Sequence, residues 1–117
     1  MAWIRGAICA ENTVESIQEQ TLKLFDNIVD KNHLNLCEIE AIFFTATKDI
    51  DACYPAKFVR QAHQQLSNVA FMCAQEMEVQ NSLKKCIRVA VSVANLAQKH
   101  VIHCYLDGAE TLRPDLK

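Results

Sequence analysis

Glycine is nearly missing from this 117-residue chain: Gly6 and Gly108 are the only two. No glycine-rich loop can therefore wrap backbone N–H groups around the phosphates of a nucleotide, and nucleotide cofactors are disfavoured. No apolar run approaches the ~20 residues of a membrane-spanning helix. Basic runs are absent too. With a formal net charge of −2 and 7% aromatic residues, the chain lacks the concentrated positive face that nucleic acid requires. The opening Met1-Ala2-Trp3-Ile4-Arg5 lacks the basic-then-apolar order of a signal peptide, so the cytoplasm is the expected compartment. Six cysteines are present, but none in a Cys-x-x-Cys spacing. Most stand among apolar residues and are expected to be buried, reduced thiols. His100 and His103 have no carboxylate or thiolate at ligand spacing, so no metal site is expected.

What remains is a soluble-domain composition, 50% hydrophobic and 22% charged. One domain spanning 1–117 is expected, able to bury roughly 65% of its unfolded surface. Residues 2–9 read as a strand, in which Gly6 marks a bulge or a close backbone approach. Asn12 or Thr13 offers a helix N-cap, with Glu15 completing a capping box from Asn12. Val14, Ile17, Thr21, Leu24, Phe25 and Ile28 recur at helical spacing and predict a helix over 13–32. Ile39–Thr47 reads as a central strand, and Pro55 suits the first turn of a second helix running to about Leu66. A strand over 69–73, a cleanly alternating one over 86–93, a short helix near 95–100 and a strand over 101–106 complete the order. That order is α+β: a mixed sheet with two main helices packed on one side.

Charge then enters the strands. Glu76 follows the 69–73 strand, and Arg88 lies inside the 86–93 strand on the face shared by Cys86, Ala90 and Ser92. A desolvated charge is costly unless something pairs with it, so protein groups or a charged ligand must answer Arg88. Arg5 poses the same question in the first strand. Lys57 and Arg60, three apart on a helix, ordinarily form a solvated face, and Arg113 before Pro114 ordinarily belongs to a surface loop.

Seven short stretches come in order: Ile4-Arg5-Gly6-Ala7; Thr45-Ala46-Thr47-x-Asp49; Tyr54-Pro55-Ala56-Lys57-x-Val59-Arg60; Cys73-x-Gln75-Glu76-Met77; Leu83 to Val89 with Arg88 inside; Tyr105-Leu106; and Leu112 to Leu116. Together they resemble the monofunctional, trimeric chorismate mutases of the AroH class over nearly the whole chain. The resemblance implies a homotrimer built as a pseudo-α/β-barrel, with active sites between subunits and chorismate, a dianion, as substrate. It implies a Claisen rearrangement to prephenate in phenylalanine and tyrosine biosynthesis, with no nucleophile, proton transfer, metal or cofactor. By motif, Arg88 would face the ether oxygen and a substrate carboxylate, while Arg5 and Tyr105 bind the other carboxylate region. Glu76, helped by Cys73, would hold the ring hydroxyl, and Phe71, Met72, Ala74 and Gln75 would line the wall. Tyr54, Ala56, Lys57 and Arg60 would come from a neighbouring subunit, and Leu112 and Arg113 would close over the substrate.

The chain departs from the family pattern at Ile8-Cys9-Ala10, where Thr-Thr-Val is usual, and at Tyr54, where Phe is usual. Asn81-Ser82 replaces a glycine, and Asn81 is expected to take the left-handed conformation there. A catalytically silent small-anion binder or sensor of the same fold is the alternative reading. An enamine/imine deaminase of the similar trimeric fold is a third, and the ordered stretches fit it less well.

Overall fold

In the computed structural model, which describes residues 1–116, the first strand β1 (Ala2–Cys9) alternates as its sequence requires. Ala2, Ile4, Gly6 and Ile8 are buried on one face, while Trp3 and Arg5 project exposed from the other. A Cβ on Gly6 would stand 2.7 Å from the Cys104 carbonyl oxygen and 3.1 Å from Leu24 and Ile28. Gly6 thus marks a close approach of helix and neighbouring strand. No bulge forms in β1; the irregular register lies in β2, between Ile39 and Ala41.

Helix α1 (Val14–Lys31) begins at Thr13, whose hydroxyl accepts the Ser16 N–H at 3.1 Å. Asn12 is not the cap, so the expected box with Glu15 does not form. Its side chain instead braces the loop before α2, donating to the Asp51 carboxylate at 2.8 Å and accepting the Asp51 and Ala52 N–H groups at 2.9 and 3.0 Å. Ile17, Thr21, Leu24, Phe25 and Ile28 form the buried stripe of α1, whereas Val14 is exposed.

The remaining elements are β2 (Ile39–Ala46), α2 (Ala56–Ala62), β3 (Ala70–Gln75), β4 (Cys86–Val93) and β5 (Cys104–Leu106). The sheet order is β3-β2-β4-β1-β5, with β2/β3 and β1/β5 parallel and β4 antiparallel to both β1 and β2. One face carries α1 and α2 over a core built on Ile4, Ile8, Ile42, Phe44, Ile87 and Val91. The fold is α+β with a mixed sheet, as the element order requires.

Strand β3 runs to Gln75, two residues past the expected end, and three other boundaries differ from the sequence reading. Helix α2 stops at Ala62 because His63 is extended (φ −135°, ψ 102°) and sets its ring 5.3 Å from that of Phe25; Gln64–Leu66 continue only as a 3₁₀ turn. The expected helix near 95–100 is a single 3₁₀ turn, Gln98–His100, after a left-handed Asn95 (φ 59°). Strand β5 is half its expected length because side chains replace its backbone against β1. The Gln98 amide exchanges two hydrogen bonds with the Trp3 backbone, each 2.8 Å, and His103 Nδ1 accepts the Arg5 N–H at 2.9 Å. These bonds close an edge that would otherwise leave strand N–H groups bare. The cysteines also differ from expectation: only Cys86 and Cys104 are buried, and Cys37 is exposed.

The sheet face away from the helices is largely uncovered. Trp3 (40% exposed), Phe43 (38%) and Met72 (60%) lie on it with Arg5. Among the described residues, cover exists only near β5. There Gly108, in the left-handed region (φ 98°), turns the chain into a 3₁₀ segment, Ala109–Leu112, that packs on Ala7 and Cys86. No helix among the described residues is long and apolar enough to cross a membrane.

Candidate active site

Register places Arg88 at the centre of the uncovered face. It lies opposite Ala7 of β1 on one side and Thr45 of β2 on the other. Both neighbours are small, so the guanidinium has room. Glu76 reaches it from the end of β3, where its N–H donates to the Ala46 carbonyl at 2.8 Å and extends the β2/β3 ladder by one residue. Arg88 Nη1 donates to Glu76 Oε1 at 3.2 Å, and the Thr45 hydroxyl donates to the same oxygen at 3.1 Å.

The two charges therefore do meet, but as a single-point contact between side chains 31% and 25% exposed. A pair so open is weakly stabilising at best. It leaves most of the arginine's donor fork, and Glu76 Oε2, without a hydrogen-bond partner among the described residues. Two clefts share the pair. One, about 140 Å³, is lined also by Thr47, Leu83, Cys86 and Leu112; the other, about 170 Å³, by Arg5, Phe43, Thr45 and Ala90.

Around this centre stand further groups expected from the sequence. Arg5 projects from β1 opposite Ala90, and Tyr105 lies in β5 opposite Ala7, half-buried on the same face. Arg113 sits beside Tyr105 and is held in a two-point contact with Asp115, Nε to Oδ1 at 3.2 Å and Nη2 to Oδ2 at 3.1 Å. The Asp115 carboxylate raises its pKa above an already high ordinary value. Three arginines thus frame one uncovered face with Glu76 as the acceptor at its middle. Such a face suits a small, multiply charged anion that also carries a hydroxyl.

The β4 end of the site is fixed by a knot of hydrogen bonds. Asp49 accepts the Lys85 N–H with both oxygens, at 3.0 and 3.1 Å, and the Thr47 hydroxyl at 2.5 Å; Thr47 Oγ1 in turn accepts the Cys86 N–H at 3.0 Å. The Thr47 hydroxyl, then the Lys85 N–H, hold the Asp49 carboxyl below its ordinary pKa. The knot therefore persists to lower pH than an ordinary carboxylate would allow. Burial, with a minor contribution from Cys9, pushes the Cys86 thiol up to about 12, so it stays protonated beside Arg88. Asn81 is left-handed (φ 65°), as the glycine-to-asparagine departure led one to expect.

A second group lies elsewhere. Tyr54, 73% exposed, lines a separate hollow of about 490 Å³ with Cys73, Ala74 and Gln75. Within β3 the side chains divide by alternation. Phe71 and Cys73 pair with Ile42 and Phe44 and pack with the core on the helix side, whereas Met72 and Ala74 are exposed opposite Phe43 and Thr45. The expected cooperation of Cys73 with Glu76 does not arise within one chain, because the two side chains leave the sheet on opposite faces. On α2, Ala56 is buried while Lys57 and Arg60 are exposed, with the Lys57 ammonium 5.6 Å from the centre of the Phe58 ring.

The sequence raised His103 only as a metal ligand, a role it disfavoured, and gave it no other. In the fold it holds Arg5: the Arg5 N–H bond to Nδ1 requires a neutral, accepting ring. Burial, then the charges of Arg113 and Arg5, lower its pKa below the ordinary histidine value. A depressed histidine pKa means that the unfolded chain takes up the proton first. Stability is then complete above about pH 6.5 and falls as pH drops through the folded value below it. The urea midpoint should decline on acidification below about pH 6.5. His103→Asn, which keeps an acceptor but does not titrate, should flatten that decline. An unchanged profile would show that His103 does not anchor Arg5.

The fold and the site define a class: a small α+β domain whose uncovered sheet face gathers fixed arginines around one carboxylate, an arrangement suited to a small organic anion. The comparisons make the family specific. The family model described as chorismate mutase type I matches residues 1–116. The chain is 39% identical over 115 residues to chorismate mutase AroH of Bacillus subtilis (strain 168), covering 97% of this chain and 90% of that protein. It is 37% identical over 117 residues to chorismate mutase AroH of Thermus thermophilus, covering 97% and 94%. Among solved structures, a chorismate mutase from Clostridium thermocellum matches with a TM-score of 0.88 at 39% identity, covering 95% of this chain and 99% of that one. The chain belongs to the chorismate mutase type I family.

Proposed function

We propose that this protein is a chorismate mutase, an isomerase of aromatic amino acid biosynthesis that rearranges chorismate to prephenate. The observation that carries the reading is Arg88. It is a rigidly strand-borne cation, one-third exposed, with Glu76 at 3.2 Å and most of its donors free on a face framed by Arg5 and Arg113. In the rearrangement one C–O bond breaks as one C–C bond forms, so no proton or electron leaves the substrate. The protein's task is to hold the dianion in its compact conformer and to stabilise charge on the departing ether oxygen. Arg88 is proposed to meet that oxygen and a carboxylate, Glu76 the ring hydroxyl, and Arg5 and Tyr105 the second carboxylate. Leu112 and Arg113 are proposed to close the mouth. The catalytically silent alternative is not favoured, since the relatives matched over nearly the whole chain carry the enzyme's name.

The other half of the site is proposed to come from a neighbouring subunit of a homotrimer. Tyr54, Lys57, Arg60 and the β3 residues Cys73, Ala74 and Gln75 lie apart from the Arg88 clefts in one chain. The exposed Trp3, Phe43 and Met72 supply an apolar surface that a second copy would cover. Cytoplasmic residence belongs to the same proposal and rests on the ordinary soluble-domain composition. The experiment is direct. Purified protein given chorismate should yield a single product of unchanged mass whose carbon NMR spectrum is that of prephenate. A product of different mass, or none, would remove the assignment.

A further inference from the structure

We infer that Thr45 is a positioning residue for this reaction, acting through Glu76; the inference rests on the mutase reading above. The family resemblance gave Thr45 no role, yet it lines the cleft of Arg5, Glu76 and Arg88. It stands in β2 directly between Arg88 of β4 and Ala74 of β3, on the uncovered face. Its hydroxyl donates to Glu76 Oε1 at 3.1 Å, the same oxygen that takes Arg88 Nη1 at 3.2 Å. The adjacent Ala46 carbonyl holds the Glu76 N–H at 2.8 Å. The end of β2 therefore grips Glu76 at both backbone and side chain.

The consequence is a division of labour between the two carboxylate oxygens. Oε1 is occupied by two donors from neighbouring strands. Oε2 has no hydrogen-bond partner among the described residues and is the oxygen left to accept a ligand hydroxyl. Without the Thr45 donor the carboxylate could rotate about its terminal torsion, a broad one with no strong preferred angle. Glu76 would then swing both oxygens toward Arg88, making a two-point pair that leaves neither oxygen free for the ring hydroxyl. Thr45 keeps the contact with Arg88 single and the second oxygen free.

The test compares Thr45→Val, which keeps the branched shape and removes the hydroxyl, with Thr45→Ser, which keeps the hydroxyl. With chorismate, Thr45→Val should lower kcat/KM about tenfold, the worth of one hydrogen bond to a charged group. Thr45→Ser should recover most of that loss. With a chorismate analogue lacking the ring hydroxyl, the Val and Ser variants should differ by less than about twofold, because Oε2 then has nothing to accept. If Thr45→Val does not fold, the pair Thr45→Ala and Thr45→Ser makes the same comparison with the methyl removed from both. Equal activity of hydroxyl-bearing and hydroxyl-free variants on chorismate overturns the inference while wild-type turnover stands. An equal penalty on both substrates overturns it as well, by showing that Thr45 matters only to the fold. A wild type that leaves chorismate untouched removes the mutase reading itself, and the inference with it.

Discussion

Arg88→Ala should lower kcat by roughly 10²- to 10³-fold, the scale of removing one preorganised donor from a developing oxyanion. The size follows from the geometry. Arg88 is held between Ala7 and Thr45 at the middle of a five-stranded sheet, so its charge needs no reorganisation as the ether oxygen acquires its own. Stability should change little, because the ion pair with Glu76 is a single contact between side chains 31% and 25% exposed. The melting temperature should therefore move by only a few degrees while turnover collapses. Arg88→Lys should recover only part of the loss, since an ammonium keeps the charge but not the planar fork that can serve an ether oxygen and a carboxylate together. Initial rates over a range of chorismate concentrations, beside a thermal melt of each variant, check both halves of the expectation. A near-normal kcat for Arg88→Ala would mean that the central residue has been misassigned.

The second large effect is a recovery of activity. If the Tyr54 group completes the Arg88 group across a subunit boundary, Arg88→Ala and Arg60→Ala should each be nearly inactive alone but active when co-expressed. In randomly mixed trimers about a quarter of the sites pair an intact Arg88 from one subunit with an intact Arg60 from its neighbour. Co-expressed and co-purified variants should therefore show about a quarter of wild-type turnover, far above either homotrimer. A site contained within one chain predicts no recovery at all. The layout favours recovery, because Arg60 lies on α2 on the covered side of the sheet while Arg88 faces the uncovered side.

The residues that were legible in the sequence are those whose placement depends on local periodicity. Alternation over 86–93 is sufficient to put Arg88 on the face of Cys86, Ala90 and Ser92, because a strand has only two faces. The same rule applied to β3 separates Cys73 from Glu76, three residues away, yet the motif had grouped them on one substrate. The proposed homotrimer, with Cys73 supplied by a second subunit, would reconcile the two, and no periodicity within one chain contains that information. Side chains that replace backbone were also hidden. Gln98 and His103 shorten β5 by bonding to Trp3 and Arg5 more than 90 residues away. Asn12 has the composition of a cap, yet its amide is spent on Asp51 and Ala52. Gly6 and Asn81 were readable, because a missing Cβ and a tolerated positive φ are properties of the residue itself.

The central claim is that fixed charge and hydrogen bonds alone carry the rearrangement. It is tested most directly by following the ultraviolet absorbance of chorismate with purified wild-type protein, dialysed against a chelator, in H₂O and in D₂O. The account predicts rapid loss of chorismate, unchanged by the chelator, with equal kcat in the two solvents, because no exchangeable proton moves in the chemical step. Unchanged absorbance, or turnover that disappears with the chelator, would contradict it.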